Sequence, residues 1–426
     1  MIWMTLPIFL ILLFLGIPMA YDLGLVVWLY LIQTDIPSTL IAVRMTGMLT
    51  SFSLVAVPLF ICAASIMTAG GMIRRIVDWC MCLVGWIPGG LAQINILLSV
   101  IFAGVSGSAM ADVASEGQWI IPTMKERGYP VDYACAVTVA SSVLSPIIPP
   151  SVILIVGGII GDESIVSLFM AGIVPGLIMA LLMMVLAYFL AIRYNHPKET
   201  GIFSLKMFLS KTRAAALDLF MPIFVFGGMA LGWYTPTEGA AVAVAYAIFI
   251  GGVVHRELNW KKLFPIIVES VVITGAVLLM VGLASSYSYI ITLTHIPKMV
   301  ATFVSELSAP SWILVLIVFG ILIAVGMVMD GLTAFIIFLP VLLPLGNLLH
   351  MPNPIQLILF VAITIVLGVM TPPVGVCLFL ASAIAKIDIF RIFRATFPFL
   401  VILMFVTILV GFIPFITTWL PSITVK

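Results

Sequence analysis

A pattern that occurs twice inside strongly apolar sequence constrains this chain more than any other feature. Gly107-Ser108-Ala109-Met110-Ala111-Asp112 is followed by Pro149-Pro150, and Gly326-Met327-Val328-Met329-Asp330 by Pro372-Pro373. Asp112 and Asp330 are 218 positions apart, as are Pro122 and Pro340; the two Pro-Pro pairs are 223 apart, as are Pro175 and Pro398. The offset changes once, by five, between Pro122 and Pro149, where a longer loop at 347–354 in the second copy accounts for it. A chain interrupted twice in the same way is expected to fold as two copies of one plan. Interrupted apolar segments at matching places of two halves point to a transporter's binding site.

The surroundings exclude a soluble globule. Over 426 residues, 63% are hydrophobic and 8% charged, with mean hydropathy +1.32, which leaves too little polar surface for a water-facing shell. Many separate apolar runs of roughly 20 residues are present, each enough to cross about 30 Å of hydrocarbon as helix, and alternating strand patterns are not. The expected fold is therefore an all-α, polytopic membrane protein embedded in a lipid bilayer. The run 2–20 has no preceding positive charge and no small-residue cleavage site, so it reads as a retained helix. The first 50 residues accommodate one long span or two short ones. A net charge of +1 gives no basis for a nucleic-acid partner.

Cys62, Cys80, Cys82, Cys135 and Cys377 show no Cys-x-x-Cys spacing and read as small packing residues. His196, His255, His295 and His350 lie in polar or Pro-containing stretches, no two at metal-ligand spacing, so no transition-metal site is expected.

Charge gives the topology. The segment 193–213 carries five cations against Glu199 and reads as cytoplasmic, with 219–232 and 240–254 as an out-and-back pair returning to Arg256, Lys261 and Lys262. The run 263–286 then crosses outward. The arms 312–325 and 331–345 are each about 15 residues, roughly 22 Å of helix, too short for two full spans, and read as a re-entrant hairpin with its tip at 326–330. The run 355–385 is long enough for one crossing but is broken at Thr371-Pro372-Pro373. In the first half, 91–102 and 109–124 form the matching hairpin, 133–160 the broken crossing, and 168–192 a full span. This arrangement puts 15 of the 18 Lys and Arg residues inside and only Arg44, Lys298 and Lys426 outside, and makes the two repeats inverted. Amphipathic stretches at 72–86, 297–307 and 203–213 read as interfacial arms.

The division that follows is 1–71, N-terminal scaffold helices; 72–89, an amphipathic arm; 90–161, first hairpin and broken helix; 162–218, a connecting helix and cytoplasmic arm; 219–296, scaffold helices; 297–310, a second arm; 311–386, second hairpin and broken helix; and 387–426, a C-terminal helix.

Asp112 and Asp330 lie at apolar depth, where an ionised carboxylate needs pairing or solvation, which marks them as candidate functional groups. Each could alternatively cap the helix that follows it. Ser106, Gly107, Ser108 and Gly326 allow tight hairpin tips, and Ser141, Ser142, Ser145, Thr371 and the carbonyls freed at the Pro-Pro breaks supply neutral oxygens opposite them. Such a set suits a hard monovalent cation, Na+ above all. Helix N-termini at the breaks can hold an anionic group without Arg or Lys.

At these residues the chain resembles the large membrane subunit of tripartite ATP-independent periplasmic (TRAP) transporters, of the dicarboxylate or sialic acid type. The resemblance rests on Ser106-Gly107-Ser108-Ala109-x-Ala111-Asp112; Ile121-Pro122-x-Met124-Lys125-x-Arg127-Gly128-Tyr129; Ser145-Pro146-Ile147-Ile148-Pro149-Pro150-Ser151; Thr235-Pro236-Thr237-Glu238-Gly239-Ala240; and Gly326-x-x-x-Asp330 with Thr371-Pro372-Pro373-Val374-Gly375. It implies an elevator-type Na+ symporter of the bacterial inner membrane, not an enzyme. Its hairpins and broken helices would form a transport domain carried by a scaffold. The implied partners are a small four-helix membrane subunit and a soluble periplasmic binding protein that delivers a small organic anion, whether C4-dicarboxylate, sialic acid or sugar acid. Na+ is the coupling ion and no other cofactor is implied. Carried over by motif, one sodium site involves Ser106, Gly107, Ser108, Ser145 and Pro149; a second involves Gly326, Asp330, Gly368 and Thr371. The substrate region includes Ser108, Asp112, Ser151, Thr371 and Cys377. Two positions depart from the family pattern: Ser145 replaces the Gly before Pro-Ile-Ile-Pro-Pro, and Cys377 replaces an Asn after Thr-Pro-Pro-Val-Gly.

Two other functions fit parts of the sequence. One is a stand-alone ion-coupled anion carrier with the same hairpins. The other is an intramembrane serine protease, since Gly104-Val105-Ser106-Gly107 has the Gly-x-Ser-Gly form; that chemistry needs a histidine at membrane depth, and it leaves the repeat unexplained.

Overall fold

The computed structural model describes residues 8–9, 11–12, 15, 17–198, 204–306 and 309–425; the side chains of 104–106, 301 and 303–305 are not among those described. These residues form nineteen α-helices and no strand. The run expected at 2–20 lies largely outside the described residues. Beyond it stand two short helices, α1 (Met19–Gln33) and α2 (Thr39–Leu49). They are separated where Asp35 takes φ +55, a left-handed conformation that Asp tolerates better than most residues, and where Ile36, the residue before Pro37, is steered out of helical geometry.

α3 (Ala56–Ala69), preceded by the 3-10 turn Phe52–Val55, leads into the amphipathic α4 (Met72–Val84). Met72, Ile76, Cys80 and Val84 recur every four residues on the buried face of α4, which seats it as a surface-lying arm. The first repeat then runs α5 (Gly90–Ser106), α6 (Ala109–Glu126), α7 (Val131–Ser142), α8 (Val152–Gly161) and α9 (Ile165–Arg193). Next come α10 (Leu205–Ala230), α11 (Pro236–Phe249) with its π turn Ile250–Val254, and α12 (Trp260–Leu293). The second arm is α13 (Ile296–Glu306), and the second repeat is α14 (Ser311–Gly326), α15 (Gly331–Leu342), α16 (Pro354–Gly368), α17 (Val376–Ala385) and α18 (Ile389–Phe412), with α19 (Phe415–Thr424) last.

The order of hairpin, broken helix and long helix thus occurs twice. One expectation is corrected: from Leu205 on, the arm expected at 203–213 and the span from 219 are a single helix, α10. Ala214-Ala215-Ala216 joins them with the strongest helix-forming residue and no breaker.

Among the described residues, six elements are long and apolar enough to cross a membrane: α3 with its 3-10 turn, α9, α10, α11 with its π turn, α12 and α18. The halves of the broken helices and the other hairpin arms are shorter, while α6 has 18 residues but carries Asp112, Glu116, Lys125 and Glu126. α3 packs on α11, and α12 packs against α1, α2 and α3. α4 lies along α10, tied by Lys211 Nζ to Asp78 Oδ2 at 2.7 Å and by Trp79 Nε1 donating to Thr212 Oγ1 at 3.0 Å.

The two repeats interlock reciprocally. α6, the second hairpin arm of the first repeat, packs on α17, the far half of the second broken helix; α15 packs in the same way on α8. Small residues permit both contacts. A Cβ on Gly117 would sit 3.1 Å from Ile384 Cδ1, and one on Gly157 would sit 2.9 Å from Ile358 and 3.0 Å from the Phe335 ring.

Candidate functional site

Each hairpin tip rests on the break of its own repeat. At the first, α5 ends in Gly107 at φ +60, a left-handed turn that glycine adopts freely. A Cβ there would lie 2.9 Å from Pro150 O and 3.4 Å from Val152 N, so the tip touches the Pro149-Pro150 break through bare backbone. Ser108 caps α6, its Oγ accepting from Ala111 N at 3.5 Å. Ser151 caps α8 by accepting from Leu154 N at 3.3 Å, and its hydroxyl donates to Pro146 O at 2.6 Å. Gly107, Ser108, Ser145, Pro149 and Ser151 therefore gather at one corner. The side chain of Ser106 lies outside those described.

Asp112 is 2% exposed and sits inside the first turn of α6, not at its cap. The fully buried Ser145, at the break, donates a hydrogen bond to its Oδ2. The residue that departs from the family pattern is thus the one that reaches Asp112.

At the second tip, Gly326 and Gly368 meet backbone to backbone. A Cβ on Gly326 would lie 3.0 Å from Gly368 Cα, and one on Gly368 would lie 2.6 Å from Ile323 O. Gly375 N donates to Met327 O at 3.1 Å across the same contact. Thr371 Oγ lies 2.9 Å from both Leu367 O and Gly368 O and donates to one of them. Asp330 is the N-cap of α15, its Oδ2 accepting from Leu332 N at 3.1 Å and Thr333 N at 3.3 Å. Gly326, Gly368 and Thr371 are brought together, and the Asp330 carboxylate is turned onto its own helix.

This corrects the register of the repeat. By capping position Asp330 corresponds to Ser108, an offset of 222 that nearly equals the 223 of the Pro-Pro pairs. The Asp112–Asp330 match joins an interior residue to a cap. Letters alone do not show which residue leaves helical dihedrals.

Cys377 joins the halves. It is fully buried on α17, which packs on α7 of the first repeat. Its own N–H donates to Val369 O at 3.1 Å across the second break.

A buried polar row beneath the first tip was not expected. Asn95 Nδ2 donates to Thr138 Oγ1 at 2.8 Å, Ser99 Oγ lies 2.8 Å from Ser141 Oγ, and Ser99 Oγ lies 3.2 Å from Glu116 Oε2. The sequence signal was available: Asn95 with Ser99, and Asp112 with Glu116, are i, i+4 pairs in apolar arms.

Outside the tips, His255 Nε2 lies 2.8 Å from Oδ1 of the fully buried Asp218. His196 sits among Tyr129, Tyr133 and Tyr194, with ring centroids 5.4, 4.4 and 6.1 Å away.

Comparison with known proteins places this geometry. The family model described as tripartite ATP-independent periplasmic transporter, DctM component, matches residues 6–416. The sialic acid TRAP transporter large permease protein SiaM of Vibrio cholerae serotype O1 is 33% identical over 413 residues, covering 97% of this chain and 96% of that one. The 2,3-diketo-L-gulonate TRAP transporter large permease protein YiaN of Escherichia coli is 35% identical over 406 residues, covering 94% of each. In solved structures, the YdaH transporter of Alcanivorax borkumensis shares the fold at TM-score 0.62 and 14% identity, over 88% of this chain and 87% of that one.

Proposed function

Because this chain belongs to the DctM component family of tripartite ATP-independent periplasmic transporters, we propose that it drives sodium-coupled uptake of a small organic anion by an elevator motion of its two hairpins and broken helices. The chain is the large permease subunit of such a transporter, a multi-pass membrane protein and not an enzyme. The working assembly adds the small four-helix membrane subunit and a periplasmic binding protein, in the bacterial inner membrane.

One observation carries the sodium reading: each tip meets its own break through glycine backbone, at Gly107 on Pro150 and at Gly326 on Gly368, where hydroxyl and carbonyl oxygens collect without Lys or Arg. Hard monovalent cations favour such oxygen sets at broken helices. Ser108, Ser145 and the carbonyls near Pro149 then serve one ion, with Ser106 beside them. The Gly326, Gly368 and Thr371 carbonyls serve the other, and Asp330 supplies negative charge nearby.

Substrate belongs between the tips, bounded by Ser108, Asp112, Ser151, Thr371 and Cys377. Of the helices that begin at tips and breaks, α17 starts at Gly375 without a side-chain cap, so its N-terminal dipole is available to a carboxylate. The named relatives transport sialic acid and 2,3-diketo-L-gulonate. A C4-dicarboxylate TRAP transporter large permease of Pseudomonas aeruginosa is 32% identical as well, so the relatives support a small organic acid as the substrate class. The reciprocal packing of α6 on α17 and α15 on α8 supports inverted repeats that move as one body.

The test is sodium-dependent uptake in proteoliposomes holding both membrane subunits and the binding protein. Ser108→Ala and Asp330→Ala are expected to abolish it, and unchanged uptake in both would overturn the site assignment. Equal uptake with the binding protein omitted would favour a stand-alone carrier.

A further inference from the structure

The first hairpin holds a second carboxylate that neither tip nor break uses. Glu116 lies one helical turn beyond Asp112 on α6 and is 6% exposed. Its Oε2 lies 3.2 Å from Ser99 Oγ of α5, which lies 2.8 Å from Ser141 Oγ of α7. Its Oε1 has no hydrogen-bond partner among the described residues, and neither has Oδ1 of Asn95, one turn from Ser99 and 1% exposed.

No cation offsets a charge there. Of the elements packed on α6, α5 has no titratable side chain, α7 has Asp132, Tyr133 and Cys135, and α17 has Cys377. Cys80 of α4 is also within electrostatic range. On α6 itself are Asp112, Lys125 and Glu126, with Lys125 nine residues along the helix from Glu116, roughly 13 Å.

Buried charge separates the two forms of Glu116. Ionised, it accepts one hydrogen from Ser99, and a full charge remains at membrane depth with one oxygen bare, a strongly disfavoured arrangement. Protonated, its carboxyl O–H donates to Ser99 Oγ. Ser99 then donates to Ser141 Oγ, 2.8 Å away, and Ser141 donates to Thr138 O, 3.3 Å away. Every hydrogen has its own acceptor.

We propose that Glu116 is a proton-binding site of the first hairpin, loaded while α5, α6 and α7 pack in this way and releasing its proton to water when that seam opens. The site is independent of the sodium reading, and it lets the hairpin move without an uncompensated carboxylate from Glu116.

Infrared spectroscopy of the full chain in lipid, with 13C-labelled glutamate, reads this directly. At neutral pH a protonated glutamic-acid carbonyl band is expected. The label should shift it, whereas bands from Asp112 and Asp330 stay in place. It should be absent from Glu116→Gln and displaced in Ser99→Ala, which removes its hydrogen-bond partner and serves if the first variant does not fold. Absence of the band in labelled wild type would overturn the proposal, as would its persistence in Glu116→Gln. Loss of the band on replacing choline chloride by sodium chloride would make this a sodium site and also overturn it.

Discussion

Ser108 and Asp330 hold the same station in the two hairpins, each capping the helix that leaves the tip, although one is a neutral hydroxyl and the other a carboxylate. The tips therefore share a capping station and differ in charge and in backbone, the first arm ending in left-handed Gly107 and the second in right-handed Met327. Asp112 supplies the first repeat's carboxylate from a turn further in, held by Ser145.

Capping and charge separate at Asp330. Asp330→Asn keeps an oxygen able to accept from Leu332 N and Thr333 N, so the melting temperature should stay close to wild type, whereas Asp330→Ala should cost about 0.5–2 kcal/mol. If the charge serves sodium, both should lose sodium-dependent uptake. Thermal melts beside uptake assays check this, and full uptake by Asp330→Asn would reduce the residue to a cap.

The Ser145–Asp112 hydrogen bond should appear as a coupling. Ser145→Ala removes a buried donor from a carboxylate, worth about 1–3 kcal/mol. A double-mutant cycle with Asp112→Asn should return an interaction energy of that order. Additive losses would show that the two side chains act separately.

Close backbone approach at the second tip leaves no room for a methyl group. Gly326→Ala and Gly368→Ala should each lower stability by about 1–3 kcal/mol and stop uptake, since the Cβ would press on backbone and not on a movable side chain. Gly227→Ala in α10, with nothing within 4 Å of the added atom, is the control. It should hold or gain stability by about 0.5–1 kcal/mol.

His196 lies in the loop after α9, outside the spanning segments, and burial holds its imidazole below the ordinary histidine range. Folding then favours the neutral ring. Its stabilisation is fully present above the unfolded-state value of about 6.5 and is lost as pH falls through the lower folded-state value. Thermal melts should drop on acidification across that window, and His196→Gln should flatten the change. Equal slopes in both proteins would assign the effect to another group.

Apolar run lengths and the two Pro-Pro breaks determined the hairpins, the broken helices and the long helices between them, because hydrocarbon thickness and the missing proline N–H act on the local chain whatever surrounds it. The same local chemistry placed Gly107 and Gly326 at the hairpin tips, while Gly368 came from the family resemblance. Only the tertiary structure decided that Ser108 and not Asp112 is the counterpart of Asp330, since capping depends on which residue leaves helical dihedrals. It alone brought Ser145 to Asp112, and Ser99 to both Glu116 and Ser141. Those partners are 33, 17 and 42 positions apart in sequence, and their meeting follows from how the hairpin arms and the broken helix of the first repeat pack.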